Sequence, residues 1–175
     1  MSVDWAAVYR SSFTDLVRYL YRKVWDAERA QDLAQEAFAR VLERERRGGD
    51  AVENPRALVF TVASNLARDE ARTVIRRRKH LALLKSDVES APATTPDPVA
   101  DVERVRQREA AEGALGRLSD RDRDVLLLWD AGMSYEEISA QTGLALGAVG
   151  TTLSRARRRL VEAYESMEGR HAALG

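Results

Sequence analysis

Between Ser86 and Ala100 the chain reads SDVESAPATTPDPVA, a stretch that holds three of its four prolines and no periodic apolar positions. Such a segment neither continues a helix nor joins a sheet interior, because each proline lacks an amide hydrogen and restricts the residue before it. We read it as a flexible acidic linker. The chain therefore has to fold as two small bodies, separated by a tether that reaches at most roughly 50 Å when fully extended.

On both sides of the linker the apolar residues recur at helical spacing, with no strand alternation and no internal repeat, so the expected fold is all-α. Trp5, Val8, Phe13, Leu16, Val17, Leu20, Tyr21 and Val24 give an amphipathic helix from about Asp4 to Val24. A second, from about Asp26 to Arg46, sets Ala30, Leu33, Ala34, Ala37, Phe38, Val41 and Leu42 on one stripe and is stopped by Gly48-Gly49. Pro55 suits the first position of a third helix running to about Lys85. Its first half, Ala57 to Ala63, is apolar nearly all round and should be sandwiched by neighbours. Its second half carries Asn65, Arg68, Arg72, Arg76 and Lys79 at steps of three and four, which makes one polar, cationic stripe.

Beyond the linker, Val102, Val105, Ala111, Leu115 and Leu118 mark a weaker helix from Asp101. Ser119 and Asp122 read as a cap for the next, Arg121 to Ala131, whose Val125-Leu-Leu-Leu-Trp129 should supply most of the second core. Ser134 and Glu137 then form a capping box, Ile138 starts an apolar stripe, and Gly143 supplies a left-handed turn. Val149, Leu153, Ala156 and Leu160 follow at four, three and four, giving the final helix one apolar face. Helix, tight turn, helix is a helix-turn-helix signature. Between Leu144 and Val161 there are four arginines (Arg155, Arg157, Arg158, Arg159) and no acid, which suits a nucleic-acid phosphate backbone. The plainer reading of the same residues is a helical hairpin with a solvated charged face. The tail after Tyr164 is weakly patterned and is expected to fray.

The formal net charge is zero, but the charges are segregated. Residues 56–85 hold eight bases against two acids, and 86–112 hold seven acids against three bases. Cysteine is absent and only His80 and His171 are present, so a thiolate metal centre is excluded and neither a metal nor a cofactor is expected. Neither histidine has a recognisable acid partner, and there is no Walker loop, so catalysis is not expected. No apolar run approaches the ~18 residues of a membrane span, and Met1 to Trp5 lacks a signal-peptide pattern. The expected location is cytoplasmic, without membrane contact by this chain.

Four stretches in order resemble the extracytoplasmic-function (ECF) group of the sigma-70 family of bacterial sigma factors. They are Asp32-Leu-Ala-Gln-Glu-Ala-Phe38, Asn54-Pro-Arg-Ala-Leu-Val-Phe60 running into Ala63-Ser-Asn65, the basic run Arg76 to Lys79, and Leu118 to Leu160. The resemblance implies a region 2-like domain over residues 1–85, a linker over 86–100 and a region 4-like helix-turn-helix domain over 101–175. It implies core RNA polymerase and promoter DNA as partners, and an anti-sigma factor held between the domains. Asp32, Gln35 and Glu36 would meet the polymerase clamp helices. The loop Arg47 to Asn54, with Asn65, Arg68, Arg72, Arg76 and Lys79, would take the unpaired strand of the minus 10 element. Thr151, Thr152, Arg155 and Arg158 would face the minus 35 element.

The chain departs from the family pattern in its last helix. Gly150, Thr151 and Thr152 stand where a lysine or arginine, a serine and an arginine are common, and Ala145 replaces the usual serine cap. Two bidentate donors are thereby missing, each worth ~1–3 kcal/mol of base discrimination, and thymine-methyl contacts from Thr151 and Thr152 are expected instead. The alternative from the residues alone is a helix-turn-helix regulator that never engages polymerase.

Overall fold

Asp4 and Asp26 start the first two helices in the same way. Asp4 Oδ1 accepts the Ala7 amide at 3.0 Å and Asp26 Oδ1 accepts the Arg29 amide at 2.9 Å, which satisfies amides that a helix start leaves unpaired. The resulting elements, in a computed structural model, are α1 (Trp5–Val24), α2 (Ala27–Arg46), α3 (Pro55–Leu84), α4 (Asp101–Gly116), α5 (Asp120–Asp130), α6 (Tyr135–Thr142) and α7 (Leu146–Ala173). The structure describes residues 3–84 and 101–173, with the side chains of 75, 77–84, 101 and 170–173 excepted. The linker read over 86–100 lies outside the described residues. Among those described, all regular secondary structure is helical. The helices fall into two compact units, α1–α3 in one and α4–α7, apart from Asp130–Met133, in the other.

In the first unit α3 packs against both α1 and α2, as its all-round apolar start requires. The core is Leu16 and Leu20 of α1, Leu33, Ala34, Ala37 and Val41 of α2, and Val59, Phe60 and Ala63 of α3. Two polar members were not legible from spacing: Tyr19 is buried and donates to the equally buried Ser64 hydroxyl at 3.1 Å. Leu42, expected on the buried stripe, is exposed. α1 ends at Trp25, which takes the left-handed conformation usual for glycine at φ 57° and packs its ring 5.5 Å from Tyr21. Across the unit, Arg29 Nε donates to both oxygens of Glu70 at 2.6 and 2.7 Å, joining the start of α2 to the middle of α3. That hydrogen bond raises the Arg29 pKa further above its already high ordinary value, so the guanidinium stays charged.

In the second unit the buried face of α4 is Ala110, Ala114 and Leu115, while Val102 and Val105 are exposed, contrary to the spacing. The reason lies in α7, which packs along α4. Small residues are needed where the helices approach: a Cβ on Gly113 would stand 2.3 Å from Met167 Cε. The tail expected to fray continues the 28-residue α7 as far as Ala173, with residues 174–175 outside the described ones, and its start is held by Met167 and by Arg117 donating to Ser166 at 3.1 Å. Glu168 accepts a hydrogen bond from the Tyr164 phenol and pushes its pKa above the ordinary tyrosine value. In α5, Val125, Leu126, Leu127 and Leu128 are buried, as expected, but Trp129 is 39% exposed.

The helix-turn-helix rests on local chemistry that substitution can test. Ser134→Ala removes the cap of α6 and should cost about 1 kcal/mol. Gly143→Ala forces a side chain onto a residue at φ 72° and should cost about 1 kcal/mol as well. Each should lower the melting transition of the α4–α7 unit by roughly 4–8 °C in calorimetry.

Candidate nucleic-acid interface

The capping box expected at α6 is complete: Ser134 Oγ accepts the Glu137 amide at 3.2 Å, and Glu137 Oε2 accepts the Ser134 amide at 2.7 Å. Glu136 in the same turn has its carboxyl held below the usual carboxylate range, by its own backbone amide and then by Ser134. Gly143 closes α6 in the left-handed region and donates to Ser139 O at 2.9 Å. Ser139 Oγ in turn donates to Leu144 O at 2.6 Å, which fixes the short connection into α7.

Along α7, Val149, Leu153 and Ala156 are buried as the spacing required, and they set which residues can face outward. Thr151 is exposed, and its hydroxyl donates back to Ala148 O at 3.1 Å. Its methyl group is left as the outward chemistry. Thr152 is corrected: it is 5% exposed and belongs to the core face, because it stands one turn from both Val149 and Ala156 on a 100° wheel. It cannot reach a base edge from there. Gly150 sits under the Tyr135 ring, whose Cε2 would be 3.5 Å from a Cβ at position 150.

The four arginines do not form one stripe. Arg155 Nη2 and Arg159 Nη1 converge on the two oxygens of Asp122, at 3.5 and 2.7 Å. Arg157 lies on the other flank, its guanidinium 5.7 Å from the Trp129 ring centre, and Trp129 packs against Tyr135 at 5.3 Å. Arg158 is exposed between the two flanks, with Glu162 3.8 Å away. Asp122 is thus not the cap read from the sequence. Ser119 alone does that, accepting the Asp122 amide at 3.1 Å, while the Asp122 carboxylate turns to α7. Nothing in the spacing pointed to this; a buried acid whose partners lie over thirty residues away leaves no local pattern.

On α3 the described part of the expected stripe faces outward. Asn65, Arg68, Arg72 and Arg76 are all exposed. Arg68 donates to Asn65 Oδ1 at 3.2 Å, so the amide is oriented by its neighbour, and Arg72 lies 3.9 Å from Asp69. Lys79 lies in α3, but its side chain is outside the described residues. Phe60 is fully buried against Tyr19 and takes no part in the surface. Where α2 runs out, an open cleft of about 840 Å³ is bordered by Arg40, Arg44, Arg46, Arg47 and the Gly48-Gly49 turn.

The outer face of α2 carries Asp32, Gln35 and Glu36, with Asp32 and Gln35 exposed and Glu36 partly so. Arg40 donates to Glu36 at 2.6 Å, an exposed pair of the kind that contributes a few tenths of a kcal/mol. Beside Gln35 the surface turns apolar. Tyr9 and Leu42 are exposed around an open 610 Å³ cleft that Trp5, Phe38 and Ala39 complete. The Tyr9 ring is stacked on Phe13 at 4.5 Å and meets Phe38 edge-on at 5.0 Å. The spacing had assigned Leu42 to the core, so this apolar surface was missed.

Two family models match the chain: Sigma-70 region 2 over residues 8–78 and Sigma-70, region 4 over 108–160. It is 32% identical over 156 residues to the ECF RNA polymerase sigma factor SigL of Mycobacterium tuberculosis, covering 88% of this chain and 85% of that protein. It is 30% identical over 163 residues to the ECF RNA polymerase sigma factor SigE of Mycolicibacterium smegmatis, covering 90% of this chain and 60% of that longer protein. The chain belongs to the ECF group of the sigma-70 family. Its fold is similar to that of the sigma factor RpoE in a co-crystal structure with the anti-sigma factor NepR from Bartonella quintana. The TM-score is 0.61 at 24% identity, over 93% of this chain and 97% of that one. Among the described residues no helix is long and apolar enough to cross a membrane.

The two threonines separate by experiment. Thr152→Val removes a buried hydroxyl and should act on stability alone, leaving promoter preference unchanged. Thr151→Ala should alter the preferred base at one upstream position. Selection from a randomised promoter library reads both.

Proposed function

We propose that this chain is a transcription initiation factor that lends core RNA polymerase its promoter choice. Residues 1–85 would act as the region 2 domain and 101–175 as the region 4 domain, joined by the 86–100 tether. The observation that carries the reading is the exposed face of α7, with Thr151, Arg155 and Arg158, in a chain whose other unit matches region 2. A helix of this kind enters the major groove of the minus 35 element. Its arginines fix register on phosphate, and residues near its start reach base edges.

On the other unit, Asp32, Gln35 and Glu36 offer acids and an amide to the cationic clamp helices of polymerase, and the adjoining Tyr9–Leu42 surface gives that contact an apolar centre. The α3 stripe of Asn65, Arg68, Arg72, Arg76 and Lys79 would follow the backbone of the unpaired minus 10 strand. A base extruded from the stack needs polar edges around it, which the arginine-bordered cleft at the end of α2 supplies. Opening the duplex then draws on binding energy for the single strand, with no nucleotide hydrolysis. An anti-sigma factor would act by covering these same two surfaces.

Run-off transcription with purified core polymerase tests the reading. Core enzyme with this chain should initiate at selected promoters, and core enzyme alone should not. The combined alanine variant of Asp32, Gln35 and Glu36 should lose co-purification with polymerase, and Tyr9→Ala should weaken it about tenfold. Arg158→Ala should weaken promoter binding across sequences and reduce the salt slope by about one unit. Duplex binding without polymerase association would instead identify an ordinary helix-turn-helix regulator.

A further inference from the structure

Asp122 is 1% exposed, and among the described residues no other charged group is buried to this degree. A carboxylate withdrawn from water costs several kcal/mol unless it is paired, and an apolar side chain of similar size commonly serves stability as well or better. The cap of α5 does not depend on it, because the Ser119 hydroxyl accepts the Asp122 amide, and its place in the first turn of α5 would be served equally by an exposed acid. Its two oxygens are divided between arginines one turn apart on α7: Oδ1 lies 3.5 Å from Arg155 Nη2, and Oδ2 accepts from Arg159 Nη1 at 2.7 Å. Both guanidinium side chains remain about half exposed, at 48% and 52%. Each offers five N–H donors, so most of them still face solvent. The carboxylate also lowers the positive charge of this face, which works against raw attraction to DNA.

We propose that Asp122 is a positioning residue for promoter recognition: it holds Arg155 and Arg159 in set orientations, so that their outward donors meet phosphates in a single register and fix how α7 lies in the groove. The inference rests on the promoter reading above. Arginines ordered beforehand lose less conformational freedom on binding, and a fixed phosphate register is what lets base contacts such as that of Thr151 discriminate. The gain is in specificity, at some loss of non-specific affinity.

The test uses the full chain bound to core polymerase and two duplex probes, an upstream promoter fragment selected from a random library by the unaltered protein and a scrambled duplex of equal length. Asp122→Asn keeps the shape and removes the charge. It should lower affinity for the selected duplex about tenfold, while affinity for the scrambled duplex holds or rises because one negative charge is gone. Asp122→Leu supplies a variant without the buried charge, with a melting temperature at or above that of the unaltered chain and the same loss of discrimination. In a chain already carrying Arg155→Gln and Arg159→Gln, Asp122→Asn should cause no further loss. A parallel fall on both probes that tracks melting temperature, or additivity with the arginine variants, would overturn the proposal. Failure of the unaltered protein to distinguish the two probes would overturn the promoter reading itself, and this inference with it.

Discussion

A helix turns 100° per residue, so the buried face of α7 fixes the bearing of every other side chain on it. Val149, Thr152, Leu153 and Ala156 are committed to the core of the second unit. Everything presented outward follows from that commitment. Arg155 and Arg159 emerge beside Asp122, Arg157 emerges beside Trp129, and Thr151 and Arg158 occupy the middle of the outer face. The apolar packing decides which residues are offered to a partner, and the flanking pairs decide how firmly they are held. The long reach of α7 along α4, closed by Met167 at Gly113, anchors the far end of the same rod.

The first unit solves a similar problem with α2. One side supplies Leu33, Ala34, Ala37 and Val41 to the core, and the opposite side carries Asp32, Gln35 and Glu36. Between them Leu42, with Tyr9 of α1, stays uncovered. An apolar patch rimmed by polar groups is the usual composition of a contact surface. α3 is divided along its length, its first half sandwiched and Arg68, Arg72 and Arg76 exposed farther along.

Local periodicity made most of the fold legible. The seven helices, the capping box at Ser134, the left-handed Gly143 and the core stripes of α2 and α7 all follow from residues within one or two turns of each other. The misses share a cause. Val102 and Val105 look apolar enough to be buried, but α7 needs the small residues Ala110, Gly113 and Ala114 opposite it, and nothing near α4 in the sequence says so. Thr152 was read by its place in a motif, whereas its burial is set by the helical wheel. Asp122 was read as a cap because a cap is local, and its partners on α7 are not. Residues of the outer surfaces, from Asn65 to Arg76 and from Asp32 to Glu36, were legible because solvated charge at helical spacing needs no distant partner.

Gly150 gives α7 an unusual latitude. A Cβ placed there would rest 3.5 Å from the Tyr135 ring, an ordinary van der Waals distance. Helix propensity favours such a replacement by up to about 1 kcal/mol. A methyl group could therefore rest against the phenol without disturbing the backbone. A single residue change at position 150 could therefore make α7 firmer and give its surface beside Tyr135 a side chain that it now lacks.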